Sequence, residues 1–300
     1  MYRHVRELQF ESKPEKPDAL FAMKFQEILG GQFGEMTVMM QYLWQGFTCR
    51  IPGKYKDMIM DIGSEEIGHV EMLTTMLARL LEGAPSEVMA EQVAANPVLA
   101  AIVGGMNPQH AIVAGGGPMP TNSQGIPWTA GYIVASGNLL TDFRSNAAAE
   151  GQSRLQTSRI YNMTDDPGVK SMLQFNLARD TFHQQQWLLG IQQLIDDGYS
   201  DVIENSNADA EDKLHDHTFW SMNPGSQAGE GRWANGNTMV GDQPIIFLPD
   251  AAPIGADTGL LPAPDPLLLG TYDGNQGPGT PGDSAGPVSG LIGKVKDALT

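Results

Sequence analysis

Residues 64–72 read SEEIGHVEM and place Glu65, Glu66, His69 and Glu71 inside an otherwise apolar helical pattern. Core-facing positions on a bundle helix recur at alternating spacings of three and four. The stripe through this stretch runs Ile59, Ile62, Glu66, His69, Leu73, Met76 and Leu80. Every member is apolar except Glu66 and His69. The spacing predicts one helix over about 54–82, opening after Pro52-Gly53 and stopping at Gly83-Ala84-Pro85. It aims one carboxylate and one imidazole at the core. Glu65 and Glu71 fall off the stripe and are expected in solvent.

Three further stretches, at about 17–47, 131–163 and 167–197, carry the same periodicity. In the first, Ile28, Glu35, Met39 and Tyr42 share a face. In the third helix the face is Leu140, Phe143, Ala147, Glu150 and Arg154. In the fourth, which starts at Asp165-Asp166-Pro167, it is Val169, Leu173, Asn176, Asp180, His183, Trp187 and Leu194. A short link, a long connection over about 85–130 and another short link predict an all-α core. Its form is a ferritin-like four-helix bundle with a long crossover.

Each helix thus puts a carboxylate or an imidazole on the face that should be buried. A buried carboxylate is too costly to keep charged unless it is paired or bound to a metal. Arg154 and Arg159 offer ion pairing as the alternative, but they are too few for four carboxylates and leave the histidines unexplained. Glu66 and His69, three residues apart, can serve one metal centre, and a carboxylate can bridge two ions. Dinuclear bundles of this kind draw one Glu from each of two helices and Glu-x-x-His from the other two. Here the fourth helix carries Asp180-Thr-Phe-His183 instead. Aspartate is one methylene shorter, so the expected ligands are Glu35, Glu66, His69, Glu150 and His183.

The remaining composition excludes more than it assigns. The chain has 300 residues and a formal charge of −17, which argues against nucleic acid or an anionic membrane as partner. Its single cysteine, Cys49, leaves no intramolecular disulfide and no CxxC site. MYRHVRELQF at the start has no apolar core of a leader, no run approaches membrane-spanning length, and a cytoplasmic protein is the expectation. Residues 221–290 hold 14 glycines and 10 prolines, half of all the prolines, so no useful helix is expected there. Short β-capable pieces such as PIIFL (244–248) and PLLLG (266–270) alternate with turns, and LIGKVKDALT (291–300) reads as a short helix. The division is an N-terminal arm (1–16), the bundle (17–200) and an extended, loop-rich C-terminal segment (201–300).

In order along the chain, MYRHVRELQF, GGQFGEMTVMMQY (30–42), EEIGHVEM (65–72), SGNLLTDFRSNAAAEGQSRL (136–155), YNMTDDPGVKSML (161–173), ARDTFHQ (178–184) and GEGRW (229–233) resemble the manganese catalases. The resemblance implies disproportionation of hydrogen peroxide to water and dioxygen, with two manganese ions per subunit cycling between Mn(II) and Mn(III). It implies that Glu35 and His69 bind one ion, Glu150 and His183 the other, and that Glu66 bridges them. Tyr42 matches a tyrosine that hydrogen-bonds near the cluster, and Asp180 an acidic residue proposed to shuttle protons. Some members carry an arginine immediately before the third-helix ligand, where this chain has Ala149.

Asp57 and Asp61 stand one turn apart near the start of the second helix, a place where the helix dipole alone favours acids. Some manganese catalases hold calcium there, completed by a neighbouring subunit's C-terminal loop. The matching loop is Asn223-Pro-Gly225-Ser-Gln227, which departs from the family pattern at its last two ligand positions. The resemblance also implies a homohexamer in which the C-terminal segment wraps its neighbours. Two other readings compete. One is a di-iron ferritin-like oxidase or peroxidase, of which the rubrerythrin type is disfavoured by the lone Cys49. The other is a non-catalytic structural relative.

Overall fold

A computed structural model describes residues 4–83 apart from 52, and residues 96–259 apart from 97, 99, 100, 103, 104, 205, 207, 224, 256 and 258. The expectations for 266–270 and 291–300, and the part of 221–290 beyond 259, lie outside the described residues. The named helices are α1 (Ala19–Gly30), α2 (Glu35–Thr48), α3 (Lys54–Leu81), α4 (Pro108–Ile112), α5 (Leu139–Tyr161) and α6 (Pro167–Asp196). Short links join α2 to α3 and α5 to α6, and those two pairs make the most extensive helix contacts. α2 also packs on α5 and α3 on α6, which closes the four-helix bundle. The long crossover runs from α3 to α5 and carries α4.

Two expected helices differ from their sequence reading. The stretch 17–47 is two helices, not one. The break lies at residues 31–34, where Gly31 and Gly34 are both extended, and Gly34 serves as the N-cap of α2. The crossover packs against the chain on both sides of that break. A Cβ on Gly30 would sit on the Thr121 backbone. Gln26 donates to the carbonyls of Met119 and Thr121, and the Trp128 indole donates to Thr37. The third bundle helix begins at Leu139 instead of near 131. Gly137 takes a left-handed conformation (φ 82°), and Asn138 caps the helix by accepting from the Thr141 N–H. Asp142 accepts from Ser136 and Gly137, which ties the preceding turn to the first helical turn. The other two helices start as their caps predict, α6 with Asp166 accepting from the Val169 N–H.

The described chain forms two compact units. One holds the arm, the bundle and residues 235–245. The other holds Phe219–Ala234 and the described residues from Ile246 onward; there the Ser221 N–H donates to Leu248 and Phe219 stacks on Phe247 at 5.4 Å. The strand at Ile246–Leu248 falls within the PIIFL stretch, and its partner is Thr218–Trp220. No described helix is long and apolar enough to cross a membrane.

The crossover contact gives a direct check. Gly30→Ala is expected to destabilise the fold by about 1–3 kcal/mol, the usual range for forcing atoms into a packed site. The measurement is a lowered thermal unfolding midpoint.

Candidate metal centre

The bundle core is layered along its axis. One apolar cluster gathers Phe25, Leu29, Leu73, Met76, Leu77, Ile160, Val169 and Leu173. A second gathers Val38, Tyr42, Ile59, Ile62, Phe143, Ala147 and Trp187. Between them each helix turns polar at the same level: Glu35 at the start of α2, Glu66 and His69 in α3, Glu150 and Ser153 in α5, and Asn176, Asp180 and His183 in α6. Glu35, Glu66, His69, Glu150, Asp180 and His183 are each no more than 1 % exposed.

Their ligand atoms converge in three overlapping groups: Glu66, His69 and His183; Glu35, His69 and Asp180; Glu150, Asp180 and His183. Glu66 lies at the centre. Its Oε2 is 2.7 Å from His69 Nδ1, and its Oε1 is 2.7 Å from His183 Nδ1. The two imidazoles lie nearly parallel, 5.6 Å apart. Glu35 Oε2 stands 3.5 Å from His69 Nδ1, and Glu150 Oε1 stands 3.9 Å from His183 Nδ1.

The angles decide what this arrangement fits. His183 Nδ1 and Glu66 Oε1 are within hydrogen-bond distance, yet neither has a hydrogen-bonding partner, and Glu35 Oε2 is equally unpartnered. Their lone pairs do not point at one another. His69 Nδ1 is hydrogen-bonded to Glu66 Oε2, but the remaining buried atoms crowd together without bonding each other, an arrangement suited to a shared cation. Carboxylate oxygens with imidazole nitrogens suit manganese or iron.

A ring of donors holds these side chains. The Tyr42 hydroxyl donates to Glu150 Oε1 at 2.6 Å. Asn176 Nδ2 donates to Glu35 Oε1 at 2.8 Å and to Asp180 Oδ1 at 3.1 Å, and the Ser153 hydroxyl donates to Asp180 Oδ2 at 3.2 Å. Burial raises the pKa of Glu35, Glu150 and Asp180, and neighbouring carboxylates add to it. Burial also opposes ionisation of Glu66, but the His69 charge and the nearby imidazole N–H groups outweigh it and hold Glu66 low. His183 resists burial in the same way: Glu65 and Glu66 hold its pKa up to about 9.

Glu65 corrects the sequence reading. It is not a solvated charge. Arg179 donates to it twice, from Nε to Oε1 at 2.6 Å and from a terminal nitrogen to Oε2 at 3.0 Å, and Gln9 donates to Oε1 at 2.7 Å. It faces both histidines from the side opposite Glu66. Glu71 is also engaged, 2.8 Å from the His4 ring. Stripe counting scores only inward positions and passed over Glu65 and Arg179. The available signal was adjacency, since each directly neighbours a buried acid, Glu66 or Asp180.

Asp57 and Asp61 lie one turn apart on an exposed part of α3, and Asn223, Gly225 and Gln227 are exposed in the C-terminal segment. Among the described residues, every cluster of three or more metal-capable groups lies in the bundle core.

A helical bundle with a buried carboxylate–imidazole layer drawn from four helices defines the class of ferritin-like metal proteins. Comparison narrows it. Residues 1–275 match the manganese-containing catalases, and the chain belongs to that family. It is 49% identical over 277 residues to a manganese catalase of Bacillus subtilis (strain 168), covering 92% of this chain and all of the relative. It is 48% identical over 266 residues to the uncharacterized protein YjqC of the same organism, covering 88% and 95%. The crystal structure of KatB, a manganese catalase from Anabaena, matches the fold with a TM-score of 0.65 at 23% identity, covering 84% of this chain and all of that one.

The titration pattern predicts how the metal-free protein responds to pH. His183 binds its proton more tightly folded than unfolded, so its stabilisation is complete below about 6.5 and is lost as pH rises toward about 9. The raised acids act in the same direction, because the folded state keeps protons that the unfolded chain has released. Chelator-treated protein is expected to melt at progressively lower temperature across that interval, and added Mn(II) to flatten the dependence. Thermal unfolding with and without metal checks both.

Proposed function

We propose that the chain disproportionates hydrogen peroxide to dioxygen and water at a dimanganese centre held by Glu35, Glu66, His69, Glu150 and His183. The observation that carries this reading is the placement of Glu66, whose two oxygens each approach the Nδ1 of a different histidine. Such a carboxylate would hold both ions, while Glu35 and His69 would hold one and Glu150 and His183 the other. When bound, the manganese pair supplies a two-electron store, alternately oxidised and reduced as successive peroxides react.

The protein's own task is to position groups and manage protons. Reducing one peroxide takes up two protons and oxidising the next releases two. Asp180 is our candidate to hold them. It is buried beside the ligands, its pKa is raised by burial and neighbouring carboxylates, and Asn176 and Ser153 fix both its oxygens. Tyr42 keeps Glu150 in place through its hydroxyl and, with its own pKa raised by burial and then by Glu150, stays protonated. Glu66 is a secondary candidate for proton handling, its first task being to hold metal.

Family membership and exposed apolar side chains also support a homohexamer. Trp44, Phe47, Phe182, Leu188 and Leu189 stand exposed on the bundle helices, where a neighbouring copy would cover them. We assign the C-terminal segment to wrapping those neighbours. Calcium at Asp57 and Asp61, completed by oxygens of Asn223, Gly225 and Gln227 from another subunit, belongs to the same proposal, as does a cytoplasmic location. Light scattering and elemental analysis of purified protein test assembly and metals together.

The decisive experiment measures oxygen release from peroxide alongside metal content. Two manganese per chain with oxygen release is expected, and iron without oxygen release would sink the reading. Glu66→Ala is expected to lose metal and activity together. Asp180→Asn is expected to keep its metal while turnover drops about 10²-fold or more, the scale of a lost general acid–base group.

A further inference from the structure

Glu65 occupies a position that the peroxide reaction does not by itself explain. Its carboxylate lies 3.1 Å from His183 Nε2 and 3.6 Å from His69 Nε2, the outward nitrogens of the two imidazoles. Both histidines are buried, and neither Nε2 is hydrogen-bonded to Glu65 or to any other group; Glu65 is the carboxylate that faces both of them. Their Nδ1 atoms face Glu66 on the other side. Each ring is therefore held between two consecutive carboxylates of α3, Glu66 inside and Glu65 outside.

Glu65 is itself held firmly. Arg179 grips it through a two-point fork, the geometry that fixes a carboxylate in orientation as well as distance. The Arg179 guanidinium lies 5.3 Å over the Phe182 ring, which restricts it in turn. Gln9 adds a third donor from the N-terminal arm. The arm lies close on α3: the space above Gly68 is filled by Gln9, and Phe10 stacks on Phe175 of α6 at 4.6 Å. Further along, the Ser12 carbonyl accepts from Arg79. The Arg179 guanidinium and the Gln9 amide both donate to Glu65, and such charge-assisted contacts favour its carboxylate form.

We propose that Glu65 is a shared positioning residue for both metal sites, clamped in place by Arg179 and the Gln9 end of the arm. An anionic acceptor facing both Nε2 atoms keeps the proton of each neutral imidazole on the outer nitrogen. That leaves both Nδ1 atoms free to bind metal and raises their basicity. Because one carboxylate serves a histidine of each ion, the two ions are retained or lost together. The inference rests on the dinuclear reading above, but the residues it names were not among the expected ligands.

The test loads full-length wild-type protein, Glu65→Gln, Arg179→Ala and Gln9→Ala with Mn(II). It then follows metal per chain by elemental analysis during dialysis against EDTA. Loss of such an outer partner commonly weakens metal binding 10–100-fold. Glu65→Gln is expected to release both ions at least about tenfold faster than wild type, in step. Arg179→Ala should approach that rate, and Gln9→Ala should fall between it and wild type. Arg144→Ala, which breaks an ion pair with Glu204 away from the layer, should match wild type. Wild-type release from Glu65→Gln, or loss of one ion with the other retained, would overturn the proposal. If Glu65→Gln does not fold by circular dichroism, Arg179→Lys decides: it keeps the charge without the fork, so accelerated paired release supports the clamp and unchanged release overturns it. Wild-type protein that binds no manganese would instead overturn the dinuclear reading itself.

Discussion

Negative charge packed into an apolar core is the constraint on which the bundle depends. Four carboxylates lie at one level between two apolar clusters that exclude water above and below. Removing such groups from water is expensive, and each must find a cation or a proton. Without metal the protein answers with protons: Glu35, Glu150 and Asp180 are held toward the acid form, while His69 and His183 are held charged beside Glu66. Metal binding replaces those protons. Affinity and folding are therefore linked, with the layer contributing least to stability when it has neither metal nor protons.

Much of this was legible in the sequence because a stripe of threes and fours reports what a helix buries. Glu66 and His69 stood out in α3 because every other stripe position there is apolar, and all seven stripe residues are buried. The fourth helix read equally well, from Val169 to Leu194. What periodicity could not report was contact between distant segments. The crossover passes against Gly30 at the end of α1, just before the break, a meeting of residues about ninety positions apart. The arm's grip on Glu65 is of the same kind, since Gln9 is remote in sequence from α3 and α6. Off-stripe polar residues default to solvent in a periodicity argument, and Glu65 departs from that default because Arg179 arrives from another helix and Gln9 from the arm.

The pairing of Glu65 with Glu66 shows how one helix can build two shells. Consecutive residues project about 100° apart around the axis, so adjacent glutamates cannot serve the same point. Here they lie on opposite sides of the two imidazoles. The charge accounting then separates cleanly. Glu65 is balanced by Arg179 and adds no net charge to the inner layer. In the proposed centre, three ligand glutamates would leave a pair of divalent ions with one uncompensated positive charge. Asp180 is the remaining buried acid at that level, and its ionisation would close the gap. A residue whose proton decides between a neutral and a cationic centre is well placed to move protons as the charge on the metals changes. Where the usual Glu-x-x-His pattern has glutamate, the shorter Asp180 still converges with Glu35 and His69 and with Glu150 and His183, while Asn176 and Ser153 hold its two oxygens.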